Sequence, residues 1–147
     1  MDLPGMMAHL REVAAQLNLE FGDRMNTYNS RIAQEVGKWA EGQGCGHQFH
    51  MAMFKAYFVD GHNIADTESL ISICLELGLD GDQARTVIDC RAFQDQVDRD
   101  WYRSRELGIT AVPTFRVDST HLVGAQPYEK LVELLNSLGV PNRIARQ

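Results

Sequence analysis

Three thiols are the side chains of this chain best suited to covalent chemistry, and they stand far apart, at Cys45, Cys74 and Cys90. No two of them are three residues apart, so the 147 residues contain no Cys-x-x-Cys pair of the redox kind. An odd, widely spaced set builds neither a disulfide framework nor a zinc motif, and it fits a reducing compartment. Cys45 lies between Gly44 and Gly46, ahead of a helical pattern, a setting in which thiols are activated and accessible. Of the three it is the candidate for a reactive thiol, although the plainer reading, a surface thiol without a role, is the one expected. Cys74 falls on an apolar helical face and reads as a small core residue; Cys90, at a helix junction, reads the same way.

Other chemistry finds less support. Cys45, His47 and His50 form a Cys-x-His-x-x-His string, but a fourth metal ligand is missing, so no metal is expected. His50, beside Phe49 and Met53, reads as packed or interfacial, and His62 and His121 have no nucleophile in a defensible arrangement. Glu68, Glu76, Asp95, Asp98 and Asp100 alternate with Arg91, Arg99, Arg103 and Arg105, the pattern of a solvated helix face with i,i+4 pairs. There is no glycine-rich phosphate loop and no Gly-x-Ser-x-Gly, and no bound cofactor is implied.

The formal net charge of −6 argues against nucleic acid or an anionic membrane as the main partner. No apolar run is long enough to span a bilayer. Asp2, Glu12 and Glu20 interrupt the first twenty residues and Pro4-Gly5 breaks their start, so they do not read as a secretion signal. A cytoplasmic protein is expected if Met1 is the true beginning.

Helical periodicity dominates the first hundred or so residues. Met6, Leu10, Val13, Ala14 and Leu17 predict one amphipathic helix. A second is predicted from about Thr27, apolar at Ile32, Val36, Trp39 and Ala40 and ended by Gly42, Gly44 and Gly46. A third carries Met53, Phe54, Tyr57 and Phe58 on one face. Asp66 predicts the cap of a fourth, which holds Leu70, Ile71, Ile73, Cys74 and Leu77 inside and stops at Gly78. Asp80 with Gln83 three residues on predicts the start of a short fifth helix bearing Ala84, Val87 and Ile88. The sixth is predicted from about Arg91 to Leu107, with Phe93, Val97, Trp101 and Ser104 on its buried side.

The period then changes. Thr114-Phe115-Arg116-Val117 and His121-Leu122-Val123 alternate as strands around a tight turn at Asp118-Ser119-Thr120, which predicts one β-hairpin. Pro127 suits the first turn of a last helix, with Leu131, Leu134, Leu135 and Leu138 inside and Gly139 as its stop. A lone hairpin is marginal in water and leaves strand edges unpaired. Further strands must therefore come from outside these residues or from a second copy. Pro113 stands at the head of its strand, where a missing N–H is tolerated.

The segment from Leu107 to Leu135, LGITAVPTFRVDSTHLVGAQPYEKLVELL, resembles the C-terminal end of the DsbA-like thioredoxin superfamily, in particular its FrnE-like branch of disulfide oxidoreductases and isomerases. The stretch from Phe49 to Leu79, FHMAMFKAYFVDGHNIADTESLISICLELGL, resembles the helical insertion of that branch, and Asn26-Thr27 and Trp39-Ala40-Glu41 fit it too. The resemblance implies a fold that is α/β but predominantly helical: a partial DsbA-like thioredoxin fold with a helical insertion at 1–107, a C-terminal hairpin and helix at 108–140 and a tail at 141–147. It also implies a cis peptide before Pro113, with the Val112 backbone free to pair with an extended substrate strand.

On that resemblance Val112 and Pro113 bind the substrate backbone, and Thr114 and Phe115 support them. The family's first βαβ unit, roughly 30 residues with the Cys-x-x-Cys helix, has no counterpart here, so the chain is expected to be a truncated form that is inactive alone. The partner implied is a thiol or disulfide protein, or a glutathione-like molecule. Two alternatives stand beside it. One is a non-catalytic binding or assembly protein that dimerises through the open sheet edge. The other is a relative of the glutathione-binding kappa-class transferases and hydroxychromene-carboxylate isomerases.

Overall fold

A computed structural model describes residues 3–23 and 26–141. Apart from Pro141, the expected tail lies outside the described residues. The element order is α1 (Leu3–Gln16), α2 (Arg31–Gly42), α3 (Gly46–Phe58), α4 (Thr67–Glu76), α5 (Gly81–Asp89), α6 (Gln94–Glu106), β1 (Thr114–Val117), β2 (Thr120–Val123) and α7 (Tyr128–Ser137). The protein is thus mostly helical, with one antiparallel two-stranded sheet. The chain divides into two compact units, Met1–Arg99 and Asp100–Gln147.

The core of the first unit is built where α2, α3, α4 and α5 meet. Phe49, Leu70, Val36 and Cys74 are fully enclosed there, with Trp39, Met53, Ile73 and Ile88 around them. These are the apolar faces expected of α2, α4 and α5, and the two caps form as their residue types require. The Asp66 carboxylate accepts from the Ser69 N–H at 2.8 Å, and Asp80 accepts from the Gln83 N–H at 2.9 Å. The bonds from Ser69 hold the Asp66 carboxyl below its usual pKa.

Several expectations are corrected. The second helix begins at Arg31 rather than near Thr27, because the Asn29 side chain accepts from the Arg31 N–H at 2.9 Å and closes a turn ahead of the helix. The sixth begins at Gln94, not Arg91. Arg91 takes a left-handed φ of 50°, and the N–H of Ala92 bonds back to the Val87 carbonyl, so the chain turns between α5 and α6. In α1 the inward residues are Met7 and Ala14, whereas Met6, Leu10 and Leu17 are exposed. Phe54 and Trp101, both expected inside, are 56% and 42% exposed. Thr120 belongs to β2, leaving Asp118-Ser119 as a two-residue turn with Asp118 at φ 51°. No residue of α7 is fully buried, so the expected inside of Leu131, Leu134, Leu135 and Leu138 is only partly covered.

One close approach fixes the segment between α1 and α2. Gly22 donates its N–H to the Phe58 carbonyl at 2.9 Å, and a Cβ on Gly22 would stand 1.9 Å from the Val59 carbonyl oxygen. Only glycine fits there. Its backbone lays Leu19, Glu20 and Phe21 along the C-terminal half of α3, with the Phe21 and Phe58 rings 6.0 Å apart.

Candidate functional site

Two antiparallel strands form the hairpin of the second unit, paired Thr114 with Val123, Phe115 with Leu122, Arg116 with His121 and Val117 with Thr120. The ladder runs on past the strand head, where the Pro113 carbonyl accepts from the Gly124 N–H at 2.8 Å. Two side chains brace the same end. The Thr114 hydroxyl donates to the Ala111 carbonyl at 2.6 Å, and the Gln126 amide donates to the Val123 carbonyl at 2.8 Å. Gln126 and Gly124 therefore shape the site although the sequence points first to Val112 and Pro113. The polar amide directly before Pro127 was the one signal of it.

Next to this braced end stands Val112. Its peptide bond to Pro113 is cis, the residue is 87% exposed, and among the described residues nothing bonds to its N–H or C=O. An exposed residue with both backbone groups free, at the end of an ordered strand, is a ready partner for an extended peptide. Phe115 is 38% exposed and Thr114 half-buried, so the four residues Val112 to Phe115 lie on one continuous stretch with the donor and acceptor at its head. Each strand also keeps one edge unpaired within the two-stranded sheet.

The three thiols all belong to the first unit. Cys45 is the N-cap residue of α3, half-buried, with no side-chain capping bond. Cys74 is fully buried in α4, and burial, followed by the nearby Cys45, pushes its thiol up to about 11. Cys90 is exposed at the C-cap of α5 rather than packed as expected. A thiol reagent on the native chain should accordingly modify Cys90 at once, Cys45 more slowly and Cys74 only after unfolding. Mass spectrometry of the labelled chain over time checks that order, and early labelling of Cys74 would contradict the packing described.

His50 is about half exposed, with Nε2 3.3 Å from the Glu41 carboxylate, so it is a surface residue and not an enclosed one. Among the described residues no group of three or more His, Cys, Asp or Glu side chains could hold a metal ion. No helix of the described residues is long and apolar enough to cross a membrane.

Among the described residues one charge is buried, and no sequence expectation covers it. Glu35 is 1% exposed in α2 and accepts from Arg31 Nε at 2.8 Å, Arg91 Nε at 2.8 Å and Arg91 Nη2 at 2.6 Å. Arg31 reaches on to the Gln94 carbonyl at 3.0 Å and to Asp98 at 2.7 Å. Arg91 and Asp98 thus serve this cluster rather than the uniformly solvated face expected of them. Arg91, with Arg31 assisting, holds the Glu35 carboxyl below the usual range in spite of its burial. The Arg31–Glu35 spacing of four was the available signal, and Arg91 could not be linked to it by any local pattern.

A proline-headed hairpin followed by a helix, joined in sequence to a helical bundle, is the arrangement that the resemblance to the DsbA-like thioredoxin superfamily implies. The chain matches the DSBA-like thioredoxin domain model over residues 2–136, and it belongs to that family. The uncharacterized protein YwbO of Bacillus subtilis (strain 168) is 34% identical over 96 residues, which are 64% of this chain and 48% of YwbO. The chain therefore spans about half the length of that curated relative.

Two solved structures share the fold. A probable DsbA oxidoreductase from Streptomyces coelicolor superposes with a TM-score of 0.82 at 24% identity, over 97% of this chain and 63% of the other. A 2-hydroxychromene-2-carboxylate isomerase does so with a TM-score of 0.76 at 20% identity, over 93% of this chain and 66% of the other.

Proposed function

We propose that these residues supply the substrate-strand half-site of a thiol–disulfide oxidoreductase or isomerase. The observation that carries the reading is Val112, exposed beside the hairpin with its N–H and C=O both without partners among the described residues. An unfolded or extended segment of a thiol- or disulfide-bearing protein adds there as a strand, and its backbone pairs with Val112. Thr114 and Phe115 hold the strand head, and Pro113 directs it. The redox step belongs to a Cys-x-x-Cys that these 147 residues do not contain, since Cys45, Cys74 and Cys90 include no such pair. Cys45, half-buried at the start of α3, is the candidate for any residual thiol reactivity. The likeness to a probable DsbA oxidoreductase supports this assignment.

The chain alone is expected to show no catalytic reduction of insulin by dithiothreitol above the uncatalysed rate. It should nonetheless bind a reduced, unfolded client, and Val112→Pro, which removes the N–H donor, should weaken that binding about tenfold, the effect of one lost backbone pair with its partner left unsatisfied. Turnover of insulin that survives Cys45→Ser, or unchanged client binding in Val112→Pro, would sink the proposal.

The unpaired outer edges of β1 and β2 favour a second reading, a non-catalytic assembly protein in which two copies complete one sheet. Light scattering separates the readings: a monomer across the micromolar range excludes the second. The likeness to a 2-hydroxychromene-2-carboxylate isomerase keeps a glutathione-like ligand as a third reading, ranked below both.

A further inference from the structure

At the head of β1 three consecutive carbonyls follow one another, and the outer two are occupied. The Ala111 carbonyl accepts from the Thr114 hydroxyl at 2.6 Å, and the Pro113 carbonyl accepts from the Gly124 N–H at 2.8 Å. Between them the Val112 carbonyl has no partner among the described residues. Proline brings no N–H of its own. From 111 to 113, therefore, Val112 is the residue that offers a free N–H and a free C=O together.

Gln126 keeps the second of the outer carbonyls occupied. Its amide donates to the Val123 carbonyl at 2.8 Å, spanning Gly124, whose φ of 88° turns the chain out of β2. A Cβ on Gly124 would lie 3.8 Å from Gln126 Nε2, so the amide is folded over the glycine and holds its N–H on Pro113. Thr114 and Gln126 are both half-buried, and water competes with their bonds less than it would on an open surface.

We propose that Thr114 and Gln126 are positioning residues that set the register of the incoming strand on Val112, by keeping the carbonyls on either side of it occupied. This rests on the half-site reading, since the occupant is the same extended client. A strand adds to an edge by exchanging N–H and C=O bonds with one residue at a time. A carbonyl that already accepts one donor gains less from a second than a bare carbonyl gains from its first. Slippage of the client by one residue in either direction would meet such a carbonyl, and only the Val112 register satisfies both partners fully.

The test is solution NMR on the intact, isotope-labelled chain, read at the carbonyl carbons of Ala111, Val112 and Pro113 while reduced, alkylated insulin B chain is added. In the parent chain the Val112 carbonyl alone should move downfield, and the Val112 N–H should exchange about tenfold more slowly. Thr114→Val keeps the shape and loses the donor, so the Ala111 carbonyl should now shift as well; Thr114→Ser should restore the parent's pattern. Gln126→Met should bring in the Pro113 carbonyl, and it stands as the independent variant if Thr114→Val loses the amide dispersion of the hairpin. A shift at Ala111 or Pro113 in the parent, or the parent's pattern unchanged in both Thr114→Val and Gln126→Met, overturns the register assignment and leaves the half-site reading intact. No shift at any of the three carbonyls overturns the half-site reading and the register with it.

Discussion

Glu35→Ala should lower the stability of the folded chain by about 3 kcal/mol, the low end of the cost of breaking a buried ion pair. The choice of the low end follows from exposure: Glu35 is enclosed, but the Arg91 side chain is 40% exposed and can return to water once its partner is gone. What the variant removes is three charge-assisted bonds, from one nitrogen of Arg31 and two of Arg91. Those bonds hold Arg91 in its left-handed conformation and, through Arg31, meet the Gln94 carbonyl and Asp98 at the start of α6. A thermal scan should show a midpoint lower by roughly 6–12 °C. A fall of no more than a degree or two would mean that the cluster is ornamental.

The same carboxylate gives the acid limb of stability a definite sign. Its pKa in the folded chain lies below the ordinary 4.5, chiefly because of the Arg91 bonds. A carboxyl depressed by folding contributes stability that is complete above its unfolded pKa and is lost as pH falls through the folded value. The urea midpoint should therefore drop as the pH is taken below about 4.5. In Glu35→Gln the drop should be shallower but not absent, since Asp66 is depressed by its capping bonds and remains in the variant. An identical slope in both proteins would rule out Glu35 as a source of it.

Phe49→Ala is expected to have the largest effect on the fold, about 3–5 kcal/mol. The ring has no exposed surface and sits in the cluster that joins α2, α3 and α4, next to Val36, Met53 and Leu70. Alanine leaves a void that helices clamped by two capped termini cannot collapse to fill, so the transfer and cavity costs add. Against a total stability of roughly 5–15 kcal/mol, such a loss brings the chain near the edge of folding. Chemical denaturation with unchanged slope and a much lower midpoint is the expected signature. A variant as stable as the parent would contradict the core described.

The elements were legible wherever a local rule decided them. Asp66 and Asp80 announce their helices because a short carboxylate three residues before a free N–H can cap it with no help from elsewhere. Alternation from Thr114 to Val123 marked the hairpin, and the order of motifs from Phe49 to Leu135 marked the family. The helices expected from 27 and 91 begin later, at Arg31 and Gln94, for a local and a distant reason. At Asn29 an Asx turn competes with the helix. At Arg91 the decisive partner is Glu35, 56 residues away.

The half-site shows the same division. Sequence alone determined that Val112-Pro113-Thr114-Phe115 heads a strand and that these 147 residues contain no Cys-x-x-Cys pair. Tertiary structure decided that Val112 is bare, that Gln126 and Thr114 brace the strand head, and that Phe54 faces outward over a groove shaped by Gly22. The reason is physical. Capping, periodicity and turn chemistry act over a few residues, whereas exposure, ion pairing and backbone contact depend on which distant segments the fold brings together.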